Sequence, residues 1–510
     1  MKLLWQKCIG IIVAGMVTLQ LAGCVSDEKL YDQVSLSREA AYRQWKTRKE
    51  HEEQIQPIIK GKLSVEDCLK LTLINNKVLQ SILQEKEVAR GQRLKSYSAI
   101  LPNVALSADY RRLDEVTSFD IEGPGGEKRK VQFGDLDNYS VGLTVTQPIF
   151  AGGSIPARIN AARLFALLAD ETVREAVQQL VYTAQYAYNN VLLSQHLVEI
   201  STDAVRSAKA HLDSVKQRQQ GGIASDFDVL RAEVELSNFR AELIQNKNAI
   251  NIAIANLVKV MGVSQDSDFG LSDELEYVSS EVTMEQAVEA AYRNRPDLFS
   301  REFDIKYQKE LLKIIRGRYW PAVSAYYTNT WSKPDPHSMM EIEWGHAWQA
   351  GVMASLPIFD GFAREGEVIV QKARVKQAQV DLIDAEETAL FELTKAQLSI
   401  ENAKEFVESQ RLNLTRAKEG LRLAEVGYKE GTNTQVEMID AQAALTTARV
   451  NYYQAIYSHI IAKLDLQKAM GTLTTFEAAG TKSQANNYES GTVEEKASAA
   501  FVKIEQGQTK

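Results

Sequence analysis

Six histidines stand at 51, 196, 211, 337, 346 and 459, and no two of them are four residues apart. The paired-histidine pattern of a helical zinc site is therefore missing, as are a Gly-x-Ser-x-Gly nucleophile elbow and paired cysteines. Gly123-Pro124-Gly125-Gly126 lacks the spacing of a phosphate-binding loop and no helix start follows it. No cofactor and no metal site is expected, and the chain does not read as an enzyme. The informative ionisable groups are carboxylates that follow glycine turns: Asp226 and Asp228 after Gly222, Glu437 and Asp440 after Gly431. Glu437 and Asp440 are three apart and share one helix face near its N-terminus. Carboxylates in a first turn can simply cap free N–H groups and complement the helix dipole. The spacing places Glu437 and Asp440 beyond that turn, where capping accounts for them less well.

Long helices must carry these turns. The stretches from Ala157 to Gln220 and from Glu367 to Glu419 contain no glycine or proline. At ~1.5 Å per residue the first would span roughly 95 Å as one helix. Val177, Leu180, Ala184, Ala187 and Val191 in the first, and Leu390, Leu393, Ala396, Ile400 and Ala403 in the second, recur at three- and four-residue steps. Such rods need neighbours, and their many alanines predict close helix–helix approach.

Lys2 and Lys7 precede an apolar segment, Ile9 to Leu21, too short for a comfortable membrane span, which ends in Leu21-Ala22-Gly23-Cys24. This ending is similar to a bacterial lipobox, which implies a signal peptide over residues 1–23 and lipid modification of Cys24. With Cys8 removed and Cys24 acylated only Cys68 remains, so no intrachain disulfide is expected. The net charge falls from −8 to −10 once Lys2 and Lys7 leave. An acidic chain argues against nucleic acid as a partner, and attachment to membrane is expected from acyl chains or inserted strands.

The chain is one unit written twice. Leu63-Ser-Val-Glu-Asp-Cys-Leu with Asn75 returns as Val282-Thr-Met-Glu-Gln-Ala-Val with Asn294, and Leu101-Pro102 as Trp320-Pro321, about 219 positions on. Gln147-Pro-Ile-Phe-Ala-Gly returns as Leu356-Pro-Ile-Phe-Asp-Gly, Gly222 as Gly431 and Met261-Gly262 as Met470-Gly471, now about 209 positions apart. The length difference of ~10 residues falls in one place, as in a surface loop. We therefore divide the chain into an arm at 24–62, a first repeat at 63–262, a linker at 263–281, a second repeat at 282–471 and a tail at 472–510 expected to be disordered.

Each repeat opens on a capping pattern, Thr283-x-x-Gln286 in full and Ser64-x-x-Asp67 approximately. A helix of about 35 residues is expected to run from there to Pro102 or Pro321. Beyond the proline the period changes to two. Val104, Leu106, Ala108 and Tyr110 alternate with smaller or polar residues, as do Tyr139, Val141, Leu143 and Val145, and Trp348, Ala350, Val352, Ala354 and Leu356. The partner over Ala322 to Trp331 is less regular. This predicts a β-hairpin at about 102–148 and another at about 321–357, each joined by a loop, followed by helical hairpins at about 154–262 and 363–471. Junctions with Pro148, Phe150 and Gly152, and with Pro357, Phe359 and Gly361, separate strand from helix.

Strands of about 9–11 residues suit a tilted membrane-spanning sheet. One chain supplies four, and an open edge in lipid costs several kcal/mol per unpaired backbone group, so copies must share a barrel. Three copies would make twelve strands and leave room for a channel, a reading favoured by small inward residues at Ser140, Gly142, Gly351 and Ser355.

The lipobox, the duplication, the two Pro-Ile-Phe junctions and the Tyr428-Lys-Glu-Gly-Thr-Asn-Thr turn with Asp440-Ala-Gln together resemble the TolC-like outer-membrane efflux proteins, in particular their lipid-anchored branch, over about residues 60–471. The fold class implied is mainly α with β: a homotrimer whose twelve-stranded barrel continues into a periplasmic α-barrel. The resemblance implies the exit duct of a tripartite efflux system, with a periplasmic adaptor and an inner-membrane pump, RND-type by expectation, as partners. A type I protein-secretion duct is the alternative, and a lipid-anchored coiled-coil scaffold without a pore is a weaker one. It implies that Glu437 and Asp440 form acidic rings at the periplasmic constriction. It also implies that Tyr428 and Asp228 belong to an entrance latch, although Asn433 stands where the family has arginine. The turns Gly221, Gly222, Ile223, Ala224 and Ser225, and Gly431, Thr432, Asn433 and Thr434, are expected to meet the adaptor.

Overall fold

The computed structural model describes residues 27–50, 57–122, 126–279, 282–338 and 342–473. Cys24 and the signal segment lie outside the described residues, as does the tail from 474 onward. The chain divides into two compact units. The smaller comprises the chain up to Gly61 together with Val263–Phe269. It contains helix α1 (Asp27–Glu50) and a short backbone pairing in which Ser264 N–H donates to Pro57 O at 3.2 Å and Asp268 N–H to Ile59 O at 3.1 Å. β1 (Lys60–Leu63) and β6 (Asp268–Leu271) pair as a two-stranded sheet. Part of the segment read as a linker is thus sheet.

The larger unit holds both repeats. In the first, α2 (Val65–Asn75) and α3 (Lys77–Ser96) precede β2 (Asn103–Arg112), β3 (Thr117–Glu122), β4 (Lys128–Phe133) and β5 (Asp137–Ala151). The long hairpin of α4 (Ser154–Gln220) and α5 (Asp226–Met261) follows. The second repeat runs α6 (Met284–Asn294), α7 (Pro296–Gly317), β7 (Ala322–Lys333), β8 (Gly345–Ser355), α8 (Ala363–Glu430) and α9 (Gln435–Ala469).

Three expectations are corrected. The single opening helix is two helices in each repeat. In the first, Asn76 breaks it: its Oδ1 accepts from Val78 and Leu79 N–H at 2.9 and 3.2 Å, and its Nδ2 donates to Val260 O at 2.9 Å. In the second, Pro296 has no N–H to give and holds Arg295 in extended backbone, so a new helix starts at the proline. Secondly, the first strand loop contains a further hairpin, β3 against β4, in which Asp120 faces Lys130 and Glu122 faces Lys128. Thirdly, Ser64 and Asp67 form a complete reciprocal capping box, as Thr283 and Gln286 do. The shorter aspartate reaches the Ser64 N–H, though at a long 3.5 Å.

The main sheet is antiparallel in the order β2-β5-β7-β8. Its register sets Leu106, Leu143, Asn329 and Trp348 in one row, and Ser107, Gly142, Thr330 and Ala347 in the next. Since side chains alternate, one face carries Val104, Leu106, Val141, Leu143, Val145, Trp331, Trp348 and Val352, whereas the other carries Ser107, Asp109, Ser140, Gly142, Thr144, Thr328, Thr330 and Gln349. β2 and β8 are edges, each with an unpaired row of backbone groups.

The helices pack through alanine. Ala204, Ala208 and Leu212 of α4 meet Ala232, Leu236 and Phe239 of α5. Ala287 and Ala291 of α6 meet Leu393 and Ala396 of α8 with Leu466 and Ala469 of α9. Leu69, Val181, Ala184 and Leu464 form a third cluster, and Leu473, assigned above to the disordered tail, is buried with them. Arg295 crosses between helices, its guanidinium pairing with Asp297 and Glu392 at 2.7 and 2.6 Å and donating to Ala469 O at 3.2 Å.

Candidate functional site

Both helical hairpins turn on one plan. At the first, Gly221 N–H donates to Gln217 O, Gly222 takes a left-handed φ of 74°, and Ile223 N–H donates to Arg218 O at 2.8 Å. Ser225 then caps α5. Asp228 N–H donates to its Oγ at 3.2 Å, while Asp228 Oδ2 accepts from Ser225 N–H at 2.9 Å and from its Oγ at 2.8 Å. These bonds hold the Asp228 carboxyl below the usual carboxylate range. At the second, Gly431 has φ 80°, Thr432 N–H donates to Gly427 O at 2.8 Å, and Thr434 caps α9 with Glu437 Oε2 accepting from Thr434 N–H at 2.8 Å. Gly221, Gly222, Ile223, Ser225, Gly431, Thr432 and Thr434 are exposed, and Ala224 and Asn433 half-buried.

Glu437 is therefore not where spacing put it. Glu437 lies within the first turn of α9, the third residue after its cap, and closes a capping box as its repeat equivalent Asp228 does. Asp440, one turn further on, is exposed and outside that box. Within the protomer no hydrogen bond among the described residues joins Tyr428 to Asp228, whose Oδ2 accepts from Ser225. Tyr428 instead receives the Arg218 guanidinium 4.4 Å over its ring, with Arg218 Nη2 3.4 Å from Tyr428 O, and the His211 ring edge-on at 5.6 Å. Asn433 lies against Gly427, whose missing Cβ leaves it room.

Gln435 completes this contact between hairpins. It is buried, its Nε2 donates to Asp228 O at 3.0 Å and sits 3.4 Å from His211 Nε2, and its Oε1 is buried without a partner. Burial, with the Arg218 guanidinium nearby, holds His211 below the ordinary imidazole value, so it is neutral at pH 7. A cavity of about 300 Å³ lies alongside, lined by His211, Arg218, Phe239, Tyr428 and Ile439. Sequence reading found Tyr428 and missed Arg218, His211 and Gln435. The only signal was the repeat itself, which sets Gln435 at the position of Asp226 and so substitutes a neutral amide for a charge.

At the other end of the rods, β5 passes Pro148 and Phe150 with a register shift between them, and Gly152 turns the chain into α4 with φ 59°. The second junction runs through Pro357 and Phe359 to Gly361, with φ 67°, and Phe359 meets Phe362 edge-on at 5.6 Å. Arg364 ties it down, pairing with Asp360 at 2.7 Å and donating to Arg318 O and Ile358 O.

Among the described residues no group of three or more His, Cys, Asp or Glu is placed to hold a metal, and no helix is long and apolar enough to cross a membrane. The buried Cys68 thiol is pushed up to about 12 by burial, which makes it a poor nucleophile.

A sheet with one apolar face, one small polar face and two free edges, continuing into helices of 67 and 68 residues, defines a membrane channel whose barrel is shared between chains. The model described as outer membrane efflux protein matches residues 68–263 and 287–472, well over half of the chain, and the chain belongs to that family. It is similar to the alkaline protease secretion protein AprF of Pseudomonas aeruginosa, 22% identical over 84% of this chain and 88% of the relative. It is also similar to the outer membrane protein TolC of Vibrio cholerae, 21% identical over 78% of this chain and 89% of that protein. A crystal structure of a membrane protein from Pseudomonas aeruginosa superposes with a TM-score of 0.69 at 20% identity, covering 80% of this chain and 90% of the other.

The fold is thus the barrel-and-rod architecture that the sequence resemblance implied, and the protein is an outer-membrane efflux duct reaching into the periplasm. The family comprises channel proteins that work as homotrimers with an adaptor and an inner-membrane pump. In a barrel the apolar face of the sheet meets lipid, and the face with Ser107, Gly142 and Thr330 lines the lumen.

Proposed function

We propose that three copies of this chain close the sheet, β8 of one beside β2 of the next, and form the exit duct of a tripartite small-molecule efflux system with an RND-type pump. The observation that carries the reading is the four-stranded sheet with free edges at β2 and β8 and a small, polar lumen face that includes Ser107, Asp109, Gly142, Thr330 and Gln349. Lipid on Cys24 supplies the anchor in this reading, and the turns Gly221–Ser225 and Gly431–Thr434 form the docking surface for the adaptor, since they present small exposed residues at the far end of the rods.

Glu437 and Asp440 ring the periplasmic constriction in the same reading, Asp440 carrying more of the field because the Glu437 carboxylate also serves the Thr434 cap. The entrance is latched by Tyr428 against Arg218, the guanidinium coming from the first hairpin and occupying the role that Asn433 cannot fill. Asp228 contributes by shaping the turn that presents its own backbone oxygen to Gln435. A protein-secretion duct is the second reading, favoured by the similarity to a protease secretion protein.

Single-channel recording in planar bilayers tests the proposal. Wild type is expected to be cation-selective and blocked by divalent cations. Glu437→Gln with Asp440→Asn should weaken both properties, and Arg218→Gln should raise the open fraction. Absence of channels even for Arg218→Gln would count against a pore. Channels indifferent to Glu437 and Asp440 would move the constriction elsewhere.

A further inference from the structure

Below the barrel the duct wall is recessed. One recess of about 320 Å³ is lined by Ala151, Ala322 and Ser355 of the strands together with Arg158 and Ile314. A second, of about 330 Å³, shares Arg158 and Ile314 and extends along α3, α4 and α7 past Lys95, Phe165 and Tyr307. The register fixes the side on which they open. Ala151 and Ser355 both pair with Ala322, and Ala322 lies an even number of residues from Thr328 and Thr330, on the polar face of the sheet. That face lines the lumen, so the first recess lies on the lumen side just under the barrel, and the second adjoins it through Arg158 and Ile314.

Their charge is one-sided. Arg318 pairs with Glu367 at 2.6 Å and Arg364 with Asp360 at 2.7 Å. Among the described residues neither Lys95 nor Arg158 has a carboxylate within ion-pair distance. Arg158 stands only five residues after the Gly153 cap of α4, a helix without an acidic residue in its first turn. The floor beside these two heads is apolar: Ala161, Ala162, Phe165, Leu311 and Ile314, with the Phe165 and Tyr307 rings 6.2 Å apart. Ser96 and Ser98 also line the rim, their hydroxyls already donating to Arg93 O at 2.6 Å and Lys95 O at 2.8 Å.

We propose that this recess is a cargo subsite for amphipathic anions, in which Lys95 and Arg158 hold a carboxylate, sulfonate or phosphate while an aromatic or alicyclic body lies on Phe165, Tyr307, Leu311 and Ile314. Its volume matches the lower end of small-molecule sites, ~300–1,000 Å³. In a trimer the site occurs three times around the axis, a cationic collar above the acidic constriction. Anionic amphiphiles that have passed the lower ring would be retained at the collar and handed on to the polar lumen of the barrel. The proposal rests on the duct reading for its orientation, and on the cavity and its charges for its ligand.

The test is calorimetric titration of the trimer in lipid nanodiscs with naphthalene-1-sulfonate, its neutral counterpart naphthalene-1-methanol, and sulfate alone. Wild type is expected to bind the sulfonate at least tenfold tighter than either control. Arg158→Gln with Lys95→Gln should lose at least tenfold, whereas Arg158→Lys should retain most of the affinity. Equal binding by wild type and the double variant, or equal binding of sulfonate and alcohol, would overturn the subsite. Conductance of the same preparations separates the two readings. Channels with no sulfonate preference defeat the subsite alone, and sulfonate binding that depends on Arg158 in a preparation without channels upholds the subsite while removing the duct.

Discussion

The junctions at Gly152 and Gly361 are repeat equivalents with different surroundings, and substitution there separates two physical costs. Both have positive φ, 59° and 67°. An L-residue in the left-handed region costs about 1–2 kcal/mol, so Gly361→Ala, where nothing lies within 4 Å of the added Cβ, should lose about that much. At Gly152 the same Cβ would meet the Gly317 carbonyl oxygen and Trp320 Cβ, the latter at 2.7 Å. Backbone of α7 cannot retreat without disturbing its contact with α4, so a further 1–3 kcal/mol, roughly, is expected from overpacking. Gly152→Ala should therefore cost about 2–5 kcal/mol. Asparagine distinguishes the causes, since it tolerates left-handed backbone but still carries a Cβ. Gly361→Asn should recover most of the loss, and Gly152→Asn should not. Urea midpoints of purified protein, followed by circular dichroism, give the comparison. Equal losses for the two alanine variants, or rescue of both sites by asparagine, would refute the claim that close approach to α7 is what requires glycine at Gly152.

Other outcomes follow from the same geometry. Arg295→Met leaves Asp297 and Glu392 without their cation, and because these two side chains are 31% and 47% exposed the loss should fall below that of a fully buried pair, at about 2–3 kcal/mol by denaturant unfolding. Asn76→Ala removes the cap of α3 and the bond to Val260 O together, and should cost about 1–2 kcal/mol with loss of helical signal confined to the first repeat. The His211 pKa is lower in the folded protein than unfolded, so the unfolded chain binds the extra proton first; stability is complete above the ordinary imidazole value of 6.5 and declines as pH falls below it. Melting curves from neutral to mildly acidic pH should show this decline, and His211→Gln should flatten it; an unchanged slope would mean that His211 is not the group responsible.

Legibility was highest where a pattern repeats over many residues. Alternation along Val104–Tyr110 and Tyr139–Val145 and the unbroken stretches from Ala157 and Glu367 were enough for sheet and rods, because burial of one face must recur at the period of the element. The irregular partner, Ala322–Lys333, is a central strand, and the register shows why it read poorly. Asn329 breaks its apolar face and Tyr326 lies on the polar one, its ring against Gly351. The hairpin β3–β4 was hidden because the glycine and proline at 123–126 read from sequence as loop. The break at Asn76 was hidden for a different reason: a single capping side chain interrupts a helix without changing its composition. At the turns, spacing located Asp228 and Glu437 but not their work, since whether a carboxylate closes a capping box or faces a pore depends on where the helix starts, a matter of one or two residues. The Arg218–Tyr428 and Gln435–Asp228 contacts join residues more than 200 positions apart and follow from the docking of the two hairpins, which no local pattern records.

Closure of the sheet by neighbouring copies can be measured directly by disulfide trapping. In a Cys68→Ser background, Gln349→Cys on β8 is combined in turn with Ala105→Cys, Ser107→Cys and Asp109→Cys on β2, and mild oxidation of the assembled protein in membranes is followed by denaturing electrophoresis. One of these pairs should give a ladder of covalent dimer and trimer that ends at three, with each single cysteine giving none. Absence of cross-links at every register, or a ladder that stops at two, would contradict a twelve-stranded barrel shared by three chains.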